Sequence, residues 1–334
     1  MNKFLTAIIL YTFISIVEGV SVYAQVDVNK VGQTGMKFLS VPVGARNAAM
    51  GDAISALSNN SESVFFNPAG ISEVKGKYDF SLGYNSWIAD IKHHYLSFVY
   101  NTENAGAFCI NALYIDYGII EGTIRSDIDP KGYIETGNFS PKSFSVGVSY
   151  SKAINDKFSF GVTVKFVRQD FGAGYIGIGK TTEDVARVSH ALGMLALDVG
   201  TIYKTGFKDL RIALAITNIS AEGTFIREST PLPFTLTLSA GADLFKSFEI
   251  KTDDKLNLAV EVQHPRDYSE RTHLGLEYVY SNLIALRFGY KTNYDENNLS
   301  AGMGISWNGY RVDYAYNPFG RLGDVHRVSL GFQL

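Results

Sequence analysis

The chain has 334 residues, 46% of them hydrophobic, which suffices for one large domain or two ordinary ones with a sizeable apolar surface. Charged residues make up only 19% and the net charge is −3, so no polybasic face is on offer to nucleic acid. The single cysteine, Cys109, excludes an intrachain disulfide, and with it the disulfide-stapled class of small secreted scaffolds.

Residues 1–24 read as a signal peptide. Lys3 supplies the positive start, LTAIILYTFISIV (5–17) the apolar stretch, and Val22-Tyr23-Ala24 a small-residue cleavage site. The alternative is an N-terminal anchor helix, but the apolar stretch is short and is closely followed by Glu18 and Gly19. No cysteine directly follows it, which argues against a lipid-anchored lipoprotein. Beyond residue 24 no apolar run approaches the roughly 18 residues of a spanning helix. An exported chain of this kind is either soluble or an outer-membrane barrel.

Residues 25–77 show no alternation. ARNAAMGDAISAL (45–57) predicts a short helix with Ala49, Met50, Ile54 and Leu57 on one stripe. Asn67-Pro68-Ala69-Gly70 predicts a turn, because Pro fixes φ and Gly accepts positive φ. A compact segment of this size before the first strand suggests a hatch or plug inside a barrel. A periplasmic extension is the alternative.

From Tyr78 to the C-terminus the period is two. In KFSFGVTVKFVR (157–168), Phe158, Phe160, Val162, Val164 and Phe166 alternate with Ser159, Gly161, Thr163 and Lys165. Successive strand side chains point to opposite faces, so each such segment has one apolar and one polar or small face. Fourteen segments carry the pattern: 78–87, 91–100, 105–117, 141–153, 157–170, 191–204, 208–217, 234–250, 255–264, 271–281, 283–292, 298–307, 309–316 and 326–334. Most have about ten residues, the length of a tilted strand crossing a bilayer, and the number is even, as single-chain barrels usually require.

The links sort by length. The predicted short turns are 101–104, 154–156, 205–207, 253–254, 281–282 and Asn308; the longer links are 118–140, 171–190, 218–233, 265–270, 293–297 and 317–325. Short periplasmic turns and longer outer loops are the habit of outer-membrane barrels. The first link, 88–90, departs from the alternation. The 20 Tyr and 22 Phe against 2 Trp suit strands, and Tyr84, Trp87, Tyr100, Tyr117, Tyr203, Tyr280, Tyr290, Trp307, Tyr310 and Tyr316 fall at strand ends, where an aromatic girdle meets lipid headgroups.

Motifs for other chemistry are weak. GYIGIGKT (174–181) matches the phosphate-loop pattern, but that loop works between a buried strand and a helix N-terminus. Here the preceding strand alternates with polar residues and no βαβ unit follows, so no nucleotide is expected. The six histidines have no metal spacing, and His93 and His94 point to opposite faces. Glu261, Glu277, Arg287 and Asp313 fall on predicted lumen faces; the charged lining of a hydrated barrel explains them better than a catalytic acid pair. No enzyme, cofactor or metal is expected.

At PVGAR-x-AAMG (42–51) and VFFNPAGI (64–71) the sequence resembles the PorV/PorQ family, which sits with the FadL-like outer-membrane proteins. The resemblance implies an all-β fold: a 14-stranded antiparallel transmembrane β-barrel at 78–334, with an N-terminal hatch at 25–77. It also implies an outer-membrane location in a Gram-negative envelope and a non-enzymatic role in type IX protein secretion. The implied partners are outer-membrane lipid and the translocon or secreted cargo. The FadL-like alternative is a channel for hydrophobic small molecules. By resemblance, Arg46, Gly51, Asn67, Pro68 and Gly70 would hold the hatch in place.

Overall fold

A computed structural model describes residues 31–334 apart from 103, 178–184 and 226–227; the predicted signal peptide lies outside the described residues. The strands in chain order are β1 (Tyr78–Ser86), β2 (Lys92–Thr102), β3 (Gly106–Asp116), β4 (Ile120–Arg125), β5 (Tyr133–Phe139), β6 (Lys142–Ala153), β7 (Phe158–Gly177), β8 (Val185–Lys204) and β9 (Arg211–Ile219). They continue with β10 (Gly223–Phe225), β11 (Glu228–Thr230), β12 (Thr235–Asp243), β13 (Lys255–Pro265), β14 (Arg271–Tyr280), β15 (Ile284–Lys291), β16 (Leu299–Trp307), β17 (Tyr310–Pro318) and β18 (Asp324–Gln333). Fourteen of them form one closed antiparallel barrel, in which the last strand meets the first through pairs such as Phe80 with Phe332. The short strands β4–β5 and β10–β11 pair separately, as hairpins within two of the long links.

The period-two pattern fixes which way each side chain points. On β15, Ile284, Leu286, Phe288 and Tyr290 are exposed, while Ala285, Arg287, Gly289 and Lys291 are buried. The same inversion of the soluble rule runs round the wall: Val148 is 60% and Leu195 68% exposed, yet Ser97 and Ser143 are fully buried. An apolar outer face on closed strands is the signature of a barrel solvated by lipid, because closure satisfies every backbone group without water. Tyr78, Tyr100, Tyr203, Tyr280, Trp307 and Tyr310 are exposed near the rim that carries the short turns, and Tyr84, Tyr114 and Tyr290 near the rim that carries the long loops.

The tight turns follow local chemistry. Asn308 and Gly309 (φ 49° and 84°) join β16 to β17, and Ser281 and Asn282 (φ 49° and 53°) join β14 to β15. Positive φ at both central positions gives a turn whose twist matches that of the strands.

Four expectations need correction. The predicted strand 234–250 stops at Asp243, whose carboxylate caps a one-turn helix, Leu244–Ser247, by accepting from the backbone N–H of Phe245 at 3.0 Å. The link there is therefore 244–254, not a two-residue turn. The predicted loop 171–190 is largely strand: β7 and β8 continue as a paired ribbon past a register shift at Asp170–Ala173, because pairing with each other satisfies their backbones without neighbours. The predicted loops 118–140 and 218–233 each hold a hairpin. The helix expected over 45–57 forms only at Ala45–Ala49, because the backbone turns left-handed at Gly51 and Asp52 (φ 62° and 64°).

Residues 34–74 lie inside the barrel against its inner wall. Helix 45–49 packs on β15 to β18, and the 3-10 helix Pro68–Glu73 packs on β3, β6, β7 and β8. Inward-facing glycines make the room. A Cβ at Gly275 would come within 2.6 Å of the Met50 carbonyl oxygen, and one at Gly241 within 2.7 Å of Leu57 Cγ. One at Gly289 would meet the Gly51 backbone, and one at Gly161 the Pro68 backbone. Glycine here removes volume so that two backbones can touch across the lumen.

Candidate functional site

The candidate site is the seat of this inner segment in the lumen. Arg46 leaves helix 45–49 toward β14 and makes a two-point contact with Glu277: Nε to Oε1 and Nη2 to Oε2, each 2.9 Å. Its third arm reaches Asn59 Oδ1 at 3.0 Å. Glu277 also accepts from Arg287 Nε at 2.7 Å and from Asn257 Nδ2 at 2.9 Å, and Arg287 Nη1 reaches Asp313 Oδ1 at 2.6 Å. Two guanidinium and two carboxylate groups thus alternate across β14, β15 and β17 in a buried chain. Such groups tolerate burial only when each is paired and hydrogen-bonded.

Gly51 sits where β14 and β15 approach the segment, and a Cβ there would lie 3.1 Å from Gly289 Cα and 3.0 Å from Tyr290 N. The NPAG turn seats on the opposite wall. Asn67 Oδ1 accepts from Ala69 N at 3.1 Å, and Asn67 Nδ2 donates to Ser55 O at 3.1 Å and to Thr201 O of β8 at 3.2 Å. Pro68 opens the 3-10 helix, and Gly70 leaves room for the Ser58 and Ser63 side chains. The five predicted residues therefore do not converge. Arg46 and Gly51 serve one side of the lumen; Asn67, Pro68 and Gly70 serve the other.

Further anchors escaped the sequence reading. Arg311 pairs with Asp79 at 2.8 and 2.9 Å, and Asp79 also accepts from Ser61 N. Lys291 meets Asp52 at 2.9 Å; Lys165 meets Asp198 and Asn218 at 2.7 Å within the wall itself, across β7, β8 and β9. Glu73 takes Lys204 at 2.7 Å. Apart from Asn218, every wall partner in this set is a charged residue on an inward position, the signal that would have found it. Glu261 and Glu277, the lumen carboxylates, spend their oxygens on the segment and its neighbours: Glu261 accepts from Ser55 N and from Gln263 Nε2.

At the long-loop rim the segment is tied by Asp267, in the β13–β14 link, which accepts from Thr34 Oγ1 at 2.6 Å and Lys37 Nζ at 2.7 Å. Burial by itself would raise the Asp267 pKa, but the bonds from Lys37 and Thr34 and the lysine charge outweigh it and hold the carboxyl below its ordinary range. A depressed folded pKa gives stability that is present above the unfolded value, near 3.9, and is lost as pH falls through the folded value. Protection of the amides in residues 34–40, relative to their intrinsic exchange rates at each pH, is therefore expected to hold steady from neutral pH down to about pH 4 and to fall below it. D267N should lower it at pH 7 by about tenfold or more, as the loss of charge-assisted bonds implies. Equal protection in D267N and the parent would show that the tether contributes nothing.

Only the first half of the phosphate-loop match, GYIGIGKT, falls on described residues. Residues 174–177 continue β7, the chain resumes as β8 at Val185, and 178–181 lie outside the described residues. Among the described residues no group of His, Cys, Asp and Glu has the arrangement of a metal site.

A family model described as type IX secretion system membrane protein PorP/SprF matches residues 133–332. A second, described as the uncharacterised protein family UPF0164, matches residues 14–222. No curated protein matches the chain. Among solved structures, the Ralstonia pickettii toluene transporter TbuX superposes with a TM-score of 0.58 at 14% identity, covering 87% of this chain and 98% of that one. The Pseudomonas putida toluene transporter TodX gives 0.54 at 14%, over 86% and 96%. A FadL homologue of Pseudomonas aeruginosa gives 0.53 at 13%, over 88% and 99%. Identities this low establish a shared barrel fold and nothing about cargo. The PorP/SprF match runs from the start of β5 nearly to the end of β18, more than half the sequence, and the chain belongs to that family of type IX secretion system membrane proteins, as it does over 14–222 to UPF0164.

Proposed function

We propose that this chain is a non-enzymatic outer-membrane barrel that serves type IX secretion by binding a translocon component or secreted cargo, in the manner of PorV and PorQ, through its long-loop rim. Family membership supports the pathway. The observation that carries the mode of action is the filled lumen: ion pairs and glycine seats fasten residues 34–74 to both sides of the wall. A barrel occupied in this way offers partners its rim, which carries β4–β5, the β7–β8 ribbon and β10–β11. Ile119 and Ile128 in the first of these links are 72% and 75% exposed, apolar contact area held outside the barrel strands.

Gentle solubilisation and affinity capture of the intact chain is expected to recover a secretion component or a secreted protein. Replacing 119–140 with a short Gly-Ser linker should leave a folded barrel and reduce that recovery about tenfold, the scale of losing one anchor contact. Full recovery with the hairpin removed would move the contact elsewhere, and no recovered secretion protein from the parent would sink the reading.

A FadL-like channel for hydrophobic molecules is the second reading. It is favoured by an apolar cluster between the segment and the wall, with Met36, Phe38, Leu113, Met194 and Leu232 at its centre. Mass spectrometry of the purified barrel would reveal a stoichiometric apolar ligand if this reading holds.

A further inference from the structure

The link 244–254 is longer than its neighbours on the short-turn rim, and it turns toward the outside of the barrel. Its one-turn helix, Leu244–Ser247, leans on the outer face of the wall. Phe245 packs edge-on against Tyr278 of β14, with ring centres 6.4 Å apart. Tyr278 points outward with Leu274, Leu276 and Tyr280. Just past the helix, Phe248 and Ile250 are 47% and 50% exposed.

Next to this link in barrel order come the β8–β9 and β6–β7 turns, with Phe207 and Ile154 exposed. Hydrogen bonds tie the three into one arc: Lys208 Nζ donates to Ser247 O at 2.6 Å, and Lys204 N donates to Lys157 O at 2.7 Å. The Lys208 ammonium also stands 5.3 Å from the centre of the Phe248 ring. Exposed apolar side chains thus gather on one arc of the rim, continuous with the lipid-facing wall through Phe245 and Tyr278.

Charge does not account for the arc. Lys157, Lys208, Lys246 and Lys251 are matched there by Asp156, Asp209, Glu249 and Asp253, and Lys246 pairs with Asp209. A surface balanced in this way has little pull on an anionic headgroup. Apolar side chains beside long-stemmed lysines do suit the boundary between headgroups and acyl chains, where the rings enter the acyl edge and the ammonium groups stay in water. Continuity with a wall that lipid already covers selects lipid over a soluble partner as the occupant.

We propose that the link 244–254 and the β8–β9 turn form an interfacial foot that inserts into the phospholipid leaflet on the short-turn side, the periplasmic one in an outer-membrane barrel. Phe248 and Ile250 sit at the acyl boundary. Lipid contact extends past the strand ends on this arc, and the balance of charge makes insertion indifferent to headgroup charge. This surface lies at the opposite end of the barrel from the long-loop rim and does not rest on the secretion role proposed above.

The test introduces Ile250→Cys into the full chain carrying Cys109→Ser, which removes the only native thiol. The new cysteine is labelled with the fluorophore NBD, and the barrel is reconstituted in phosphatidylcholine vesicles containing nitroxide-labelled lipid. A chain labelled through Ile128→Cys, in a long-loop link, serves as the water reference. The label at 250 is expected to lie about 5–10 Å below the headgroups by nitroxide quenching, shielded from iodide present on both sides of the bilayer. Phosphatidylglycerol vesicles should give the same depth. Phe248→Ser in the labelled chain should lift the label toward water and lower the nitroxide quenching about twofold or more. A label at 250 as open to iodide as the one at 128 overturns the proposal and frees the arc for a soluble partner. A depth unchanged by Phe248→Ser overturns it too, because the fluorophore and not the chain would then be seeking the bilayer. Insertion confined to phosphatidylglycerol overturns the apolar basis of the foot.

Discussion

Replacing Glu277 with Gln is expected to destabilise the barrel by about 3–5 kcal/mol, the scale of a buried ion pair broken on one side. Glu277 accepts four hydrogen bonds, from Arg46 Nε and Nη2, Arg287 Nε and Asn257 Nδ2, at 2.7 to 2.9 Å. The amide keeps the shape but removes the charge and points N–H groups at donors. Arg287 retains Asp313, but Arg46 loses its only carboxylate partner and keeps Asn59 and at most one amide oxygen. Urea unfolding in detergent, read by the loss of the heat-modifiable folded band on a gel, measures the change. The double variant R46M/E277Q should cost less than the sum of the two single changes, because the segment charge is removed with its partner. A cost for E277Q within about 0.5 kcal/mol of zero, the range of ordinary surface changes, would show that the pair is not a clamp.

Gly289→Val tests the other half of the seating. A side chain at 289 would run into the Gly51 backbone and the Ser300 hydroxyl, and Gly51 is held at φ 62° between Gly289 and Tyr290. The segment cannot yield by a rotamer change, since the obstruction is main chain. Overpacking of side chains costs about 1–3 kcal/mol, and backbone contact lies at or above the upper end. The wall pairing of β14, β15 and β16 does not need Gly51, so the barrel is expected to close with residues 45–57 pushed out of their seat. Limited proteolysis should then cut within 45–57 at least tenfold faster than in the parent, the barrel strands staying protected. If secretion depends on the rim, partner recovery survives this variant while solute leak rises. Unchanged protection of 45–57 would mean that the seat is looser than its geometry.

The outer wall was legible because its signal is local. Ile284, Leu286, Phe288 and Tyr290 alternate with Ala285, Arg287, Gly289 and Lys291, and the pleat alone sends them to opposite faces. Asn308-Gly309 likewise named its own turn. The misplaced ends were cases where a local signal lost to another. Alternation in FTLTLSAGAD ran on past Asp243, but a carboxylate that can accept two backbone N–H groups starts a helix. The stretch 171–190 reads as a long link because alternation fades there, whereas two antiparallel segments leaving the rim side by side complete each other's hydrogen bonds.

By itself the sequence determined the class of fold, the strand number, the facing of each wall residue and the existence of a distinct non-alternating segment before β1. Period, length and turn chemistry are written in neighbouring residues, so no tertiary information was needed. Only the tertiary structure decided where that segment goes and what holds it. Arg46 and Glu277 are 231 residues apart, Lys291 and Asp52 239, and Thr34 and Asp267 233. Closure of the barrel brings them together, and a single sequence records each partner without recording the pair.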